Sequence, residues 1–341
     1  MRPATVSLSR RINRQIVLSE LPRTALAVRH FQGREVRCPV PADGELLLRV
    51  LYIPLDAASR AWMHGATYRP GLVAGEVMAG LGLAEVVESR SASFQPGDLV
   101  CAETGWQTFA VVPAAGLIRL PRLEPLTHLL SVYGAAGLTA YFGLLECARP
   151  VQGETLVVSA AAGAVGSIVG QIARIRGCRT VGIAGGASKC AWLVRELGFD
   201  VALDYKTGTL ADDLRRTCPD GIDAYFDNTG GAILDACLAN MAEHGRVACC
   251  GAISQYDLDR PAAGPAGIPG LLIIKRLTLR GFLLGDFLES RERALSDLKA
   301  WVDSGQIKVY EDVLYGLESL PAALVGLLNG ENFGKRIVKV A

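Results

Sequence analysis

Three small residues at fixed spacing, Ala161-x-Gly163-x-x-Gly166, carry the clearest chemical signal in the chain. They follow an apolar run of strand length, Leu156 to Ser159, and open a stretch with helical spacing, Val165 to Arg176. Such a turn offers an anion the unpaired N–H groups and the positive dipole end of a helix. In a dinucleotide fingerprint, Gly163 would let the backbone approach a pyrophosphate and Gly166 would let the helix pack on the strand. The usual first glycine is Ala161 here. A tight strand-to-helix turn without a ligand gives the same string, so the surrounding elements have to decide.

Cofactor choice is read at the end of the next strand. A NAD site has an Asp or Glu there, about 20 residues on, to hold the ribose hydroxyls. This chain has Gly185-Gly186-Ala187-Ser188-Lys189 and no carboxylate. The glycines leave room, and Lys189 supplies a cation for a 2′-phosphate. The expectation is NADP(H).

Other chemistries find little support. None of His30, His64, His128 and His244 pairs with a cysteine at zinc-ligand spacing, and there is no C-x-x-C. No metal is expected. No serine sits in a G-x-S-x-G elbow. The adjacent Cys249 and Cys250 fall within a strand, where neighbours point to opposite faces, and read as two small buried side chains.

The elements around these residues suit a nucleotide site. From about residue 136, strands and helices alternate. The strands are Leu156–Ser159, Arg179–Ala184, Val201–Asp204, Ala224–Asp227, Arg246–Cys250 and Leu277–Phe282. Between them lie helical stretches at Lys189–Leu197, Leu210–Thr217 and Ile233–Met241, and Glu289–Ser304 follows as a long helix. Alternation of this kind predicts a doubly wound parallel sheet, a Rossmann domain. Residues before 136 differ. Glu45–Ile53, Leu81–Val87, Leu99–Ala102 and Gly105–Val112 are short β-like runs, and Gln95-Pro96-Gly97-Asp98 is a turn signature. They predict a small β-barrel or sandwich. Residues 257–270 read as a Pro/Gly loop near a ligand mouth. The expected organisation is a substrate domain over 1–135, a nucleotide domain over 136–305, and a return to the first domain over 306–341.

Composition limits the partners. Lys+Arg number 35 and Asp+Glu 34, a net charge of +1, which gives no footprint for nucleic acid or an acidic membrane surface. Half of the residues are hydrophobic and a fifth charged, which favours a large core over disorder. Met1 to Leu18 has Arg10, Arg11 and Arg14 but no apolar stretch, so no secretory signal is expected. The uncharged run Thr155–Ala173 is long enough to span a bilayer but changes from strand-like to helix-like half-way. Nine scattered cysteines suggest reduced thiols and a cytoplasmic location.

Longer strings carry a resemblance. Gly137–Glu146 (GLTAYFGLLE), Leu156–Arg174 (LVVSAAAGAVGSIVGQIAR), Gly185–Cys190 (GGASKC), Leu197–Thr207 (LGFDVALDYKT), Tyr225–Gly231 (YFDNTGG), Gly251–Tyr256 (GAISQY) and Asn332–Lys335 (NFGK) belong to it. Together they resemble the zinc-independent medium-chain dehydrogenases/reductases, in the branch of prostaglandin, curcumin and plant double-bond reductases. The resemblance implies a GroES-like β-barrel domain joined to a Rossmann domain, and commonly a homodimer. It implies NADPH-dependent reduction of the C=C bond of α,β-unsaturated ketones and aldehydes. It also assigns residues. Gly163, Ala164, Val165 and Gly166 would hold the pyrophosphate, with Gly185 in the following turn. Lys189 and Tyr205 would hold the 2′-phosphate, and Thr139, Asn228 and Asn332 would contact the cofactor. Tyr256 would lie near the nicotinamide and the substrate carbonyl. Hydride delivered to a β-carbon makes an enolate, whose oxygen needs a donor, and a tyrosine hydroxyl donates without ionising.

One departure concerns the substrate. The branch reads L-S-L-D-P-Y-M-R where this chain has Ile53-Pro54-Leu55-Asp56-Ala57-Ala58-Ser59-Arg60. Ala58 replaces the tyrosine that faces the substrate cleft, which enlarges the pocket and removes a donor. Ala58, Arg60 and Tyr68 are the expected pocket residues, with Tyr256. The substrate is then a conjugated carbonyl or a polyene. With a proton source withheld, a second outcome opens: hydride addition to a polyene followed by carbocycle formation, as in polycyclic tetramate macrolactam pathways. A non-catalytic NADPH-binding protein and a quinone reductase are the remaining alternatives.

Overall fold

A computed structural model describes residues 11–258, 264 and 267–340. The chain divides into two units. One takes the residues up to Leu129, Asp312–Glu331 and the residues from Arg336; the other takes Leu130–Glu311 and Asn332–Lys335.

The first unit is strand-rich. Its elements are β1 (Ile12–Leu18), β2 (Phe31–Arg37), β3 (Glu45–Pro54), α1 (Ala58–Ala61), β4 (Leu81–Ser89), β5 (Leu99–Glu103) and β6 (Phe109–Pro113). β1 and β2 form a hairpin. β3 is the spine: it pairs antiparallel with β4 on one side and with β6 on the other. The strand predicted from Gly105 begins four residues late, at Phe109. Gly105 adopts φ +65°, a left-handed conformation that interrupts extended backbone. In the predicted turn the Asp98 N–H closes on the Gln95 carbonyl, with Gly97 at φ +95°.

The second unit begins with α2 (Ala135–Phe142) and a short π-helical turn, Gly143–Ala148. Then β7 (Thr155–Val158), α3 (Gly166–Ile175), β8 (Arg179–Ala184), α4 (Ala187–Leu197), β9 (Val201–Asp204) and α5 (Leu210–Thr217) follow. They lead to β10 (Ile222–Asp227), α6 (Gly231–Ala239), β11 (Met241–Cys249), α7 (Ile268–Lys275), β12 (Thr278–Gly281) and α8 (Arg291–Asp303). The sheet order is β12-β11-β10-β7-β8-β9 and every pair is parallel. The order reverses beside β7, where a doubly wound sheet opens its ligand crevice.

Strand alternation builds this unit. Leu156, Val158, Ala224 and Phe226 face one helical layer with Ile168, Ile172 and Leu298. Val157, Val181, Tyr225 and Val247 face the other, with Leu214 and Leu238. Full burial of each such side chain contributes roughly 1.5–3 kcal/mol, so an Asp at Val157 would place a charge in a dry layer. The run Thr155–Ala173 is therefore a strand, a turn and a helix. No helix among the described residues is long and apolar enough to cross a membrane.

Three expectations shift. Met241 opens β11 rather than closing α6. The long helix starts at Arg291, after a 3₁₀ stretch over Leu284–Ser290. Of the predicted 257–270 loop, Ile268 begins α7, while 259–263, 265 and 266 lie outside the described residues.

The chain ends with β13 (Glu311–Tyr315), α9 (Leu320–Leu328) and β14 (Lys335–Lys339). β14 pairs with the second half of β3. Asn332–Lys335, which ends on the first residue of β14, groups with the second unit.

Candidate active site

In the second unit, β7 ends in a turn whose shape depends on Gly166. A Cβ there would fall 2.4 Å from the Ala160 carbonyl oxygen and 2.8 Å from the Ala161 Cα. Only glycine allows this approach of helix to strand. At Gly163 the same oxygen would be 3.2 Å away, a milder constraint. Its N–H donates to Ala160 at 2.9 Å, and the Ser167 N–H donates back to Gly163 at 3.1 Å. The N–H groups of Ala164, Val165 and Gly166 stand at the start of a ten-residue helix, where they have no carbonyl partner four residues back within it. An anion could take them.

The next turn joins β8 to α4. The Gly186 N–H donates to Asp204 Oδ1 at 2.9 Å, with Gly186 at φ +98°. These two backbone bonds, from Gly186 and Lys206, hold the Asp204 carboxyl below its ordinary value. Where Gly185 would carry a Cβ, the Tyr205 ring stands 3.0 Å away and Lys206 Cε 2.9 Å. Lys189, in the first turn of α4, places its Nζ 5.5 Å from the centroid of Phe333. Phe333 packs edge-on against Trp192 at 5.2 Å.

The segment 332–335 lies on the first turn. Gly334 donates to the Ala162 carbonyl at 2.9 Å and pairs with Gly163 as a parallel bridge. Asn332 is buried, and its Nδ2 donates to the Gly334 carbonyl at 2.8 Å, so that group shapes the segment. Thr139 sits half-buried in α2.

A third turn follows β10 and hangs on Asp227, which is 2% exposed. Its carboxylate accepts from Tyr225, Ser159, Thr229 and the Gly230 N–H at 2.7–3.2 Å. Asn228 is thereby pinned to the end of β7. Its N–H donates to Ser159 Oγ at 2.9 Å and its Nδ2 to the Ser159 carbonyl at 2.8 Å. Tyr256 follows a 3₁₀ turn, Ile253–Gln255, and its hydroxyl accepts from the Ala252 N–H at 3.3 Å. A Cβ on Gly251 would touch both the Asn228 carbonyl (3.2 Å) and the Tyr256 hydroxyl (3.6 Å), so these two predicted residues share one corner.

Cys249 packs into one helical layer and Cys250 into the other. Burial pushes their thiols up to about 11 and about 12, far from a nucleophile's range.

Of the residues predicted for a substrate pocket, Ala58, Arg60 and Tyr68 lie in the first unit and Tyr256 in the second. Ala58 is half-buried at the start of α1. Arg60 is fully buried, and one guanidinium nitrogen donates to the Thr24 carbonyl at 2.7 Å, so it is scaffold and not an open wall. Tyr68 is 61% exposed and its hydroxyl accepts from Trp62 Nε1 at 3.1 Å. Arg69 stacks over the Trp62 ring at 4.4 Å. Sequence reasoning missed Asp204, Lys206, Asp227 and Phe333. Only an acidic residue at the end of β9 and of β10 hinted at the first and third.

Two family models match: the N-terminal domain of oxidoreductase over residues 14–120, and zinc-binding dehydrogenase over residues 164–300. Prostaglandin reductase 1 of Bos taurus is 44% identical, across 91% of this chain and 93% of its own length. The chain belongs to the medium-chain dehydrogenase/reductase family. The NADPH-dependent curcumin reductase of Escherichia coli is 38% identical, across 96% of this chain and 97% of its own. Among solved medium-chain reductases, the NADPH complex of CurA from Vibrio vulnificus superposes with a TM-score of 0.92 at 39% identity, covering 96% of this chain and 99% of that one. One family model has zinc in its description, but among the described residues no three His, Cys, Asp or Glu are grouped to hold a metal.

Proposed function

We propose that this protein reduces the C=C bond of an α,β-unsaturated carbonyl compound with NADPH. One observation carries the cofactor half: the turn after β8 has no acidic residue of its own, the Asp204 carboxylate beside it is taken up by backbone N–H groups, and Lys189 and Tyr205 border it. The relatives named as prostaglandin and curcumin reductases, and the NADPH-bound CurA, support the same reading.

The residues fit that group. The N–H groups of Ala164, Val165 and Gly166 would take the pyrophosphate, with Gly163 giving close approach. Lys189 and Tyr205 would take the 2′-phosphate beside Gly185. Thr139, Asn228 and Asn332 would contact the cofactor, the last two through the turns they shape. When bound, the cofactor supplies a hydride, delivered to the β-carbon of the substrate.

Tyr256 does the remaining work on the substrate. Charge develops on the carbonyl oxygen as the β-carbon is reduced. The Tyr256 hydroxyl accepts from the Ala252 N–H, which fixes its place just after β11, and a phenol hydroxyl is a donor for that oxygen. A donor already in place where charge develops needs no reorganisation. The α-carbon then takes a proton from water. Ala58, small and half-buried, favours a bulky substrate; it is also the one observation on the side of ring closure.

The cofactor reading is tested by Lys189→Ala. The KM for NADPH should rise while that for NADH stays put; an equal change in both would remove it.

The assembly we infer is a homodimer through β12. This strand ends the parallel sheet, and Ile273 and Ile274 on the neighbouring α7 are 74% and 71% exposed. Light scattering that finds a monomer would exclude it. Thiols at Cys147, Cys178, Cys218 and Cys237 support a reducing, cytoplasmic setting.

A further inference from the structure

The turns after β8 and β9 are tied together by one carboxylate. Asp204 Oδ1 accepts from the Gly186 N–H at 2.9 Å and from the Lys206 N–H at 3.0 Å. The Thr207 hydroxyl donates to the Asp204 carbonyl at 2.9 Å, and Gly208, at φ +81°, ends the short 3₁₀ turn. The result lays both Tyr205 and Lys206 across Gly185. Lys206 is exposed, and its charge acts on the neighbouring Asp204. The nearest acid on its own turn, Asp204, is engaged with backbone N–H groups.

We propose that Lys206 is a second cation for the 2′-phosphate, and that Asp204 is the positioning residue that holds it over Gly185. This rests on the NADPH reading above. A phosphate monoester carries close to two negative charges at neutral pH. Lys189 balances one of them, from the helix side of the turn. Lys206 reaches the same turn from β9 and balances the second. Gly185 is part of the device: a side chain there would displace the Lys206 stem and the Tyr205 ring. Asp204 therefore serves NADPH selection from a place where an acidic residue at the end of β8 would serve NAD.

The test is calorimetric titration of the full chain with 2′,5′-ADP and with 5′-AMP, which differ only in the phosphate at issue. Lys206→Met should weaken 2′,5′-ADP roughly tenfold, leave 5′-AMP unchanged, and flatten the salt dependence of 2′,5′-ADP binding. Lys206→Arg should restore most of the loss. Asp204→Ala should give the same selective loss, and combining it with Lys206→Met should add little. An unchanged 2′,5′-ADP to 5′-AMP ratio in Lys206→Met would make this residue a solvated lysine and overturn the proposal. If the unsubstituted protein binds 2′,5′-ADP no better than 5′-AMP, the NADPH reading itself falls.

Discussion

The Gly334 N–H donates to the Ala162 carbonyl at 2.9 Å, so the last glycine of the chain holds the first glycine-rich turn. A segment 172 residues away in sequence packs on the turn proposed for the pyrophosphate. Its backbone leaves no choice of residue. Gly334 sits at φ +65°, and a Cβ would fall 2.1 Å from the Tyr310 carbonyl oxygen.

Gly334→Ala should therefore destabilise the second unit. Left-handed backbone on an alanine costs about 1–2 kcal/mol, and the overlap with Tyr310 adds to it. Thermal unfolding should move down by roughly 3–6 °C, with weaker NADPH binding. An unchanged melting curve would mean that residues 332–335 do not hold the turn.

Gly163 and Gly166 should separate. Gly166→Ala drives a methyl into Ala160 and Ala161, and the turn has to open. Both melting temperature and NADPH affinity should fall sharply. Gly163→Ala meets only a 3.2 Å contact and should fold normally while binding NADPH less well, through the crowded backbone. Equal melting temperatures for the two variants would contradict the geometry.

Tyr256→Phe isolates the hydroxyl. A melting curve of the variant, taken beside the rates, separates any effect on the fold from the effect on the chemistry. Removing a donor at developing charge lowers kcat by about 10²–10³. NADPH affinity, measured by fluorescence titration, should hold. Full activity in the variant would take Tyr256 out of the chemistry.

The central strands of the second unit, β7, β8 and β10, were legible because they are buried on both faces, which writes short apolar runs bounded by polar turns. β1 and β2 were not: INRQIVL buries the polar Asn13 and Gln15 beside its apolar end, and FQGREVR is exposed after Phe31, so neither writes a clean alternation. α7 hid behind its Pro/Gly approach, since IPGLLIIK has no polar face to give helical spacing. Within the site, Lys189 and the glycines declare themselves by their place after a strand. Lys206 and Phe333 do not. Lys206 reaches Gly185 only because Asp204 bridges two turns, and Phe333 reaches Lys189 only after the chain returns to this unit. Tertiary pairings of this kind leave no local pattern.

Alkaline pH should loosen the contact between α2 and α8. The Tyr141 hydroxyl donates to Asp297 Oδ2 at 2.5 Å. Burial first, and then Asp297, push its pKa up from 10 to about 12. A raised pKa stabilises the folded state fully below the unfolded value and is lost as pH rises through the folded one. The stability advantage over Tyr141→Phe should hold to about pH 10 and shrink between pH 10 and 12. Melting temperatures of both proteins across that range check it; a constant difference would show that the hydroxyl does not titrate there.

The central claim is where the hydride goes. Turnover of a bulky aryl enone with NADPH deuterated on the transferring face of C4, followed by NMR of the product, reads this directly. The account predicts one deuterium on the former β-carbon, an intact ketone and no new ring. Deuterium on the carbonyl carbon, giving an allylic alcohol, would contradict it.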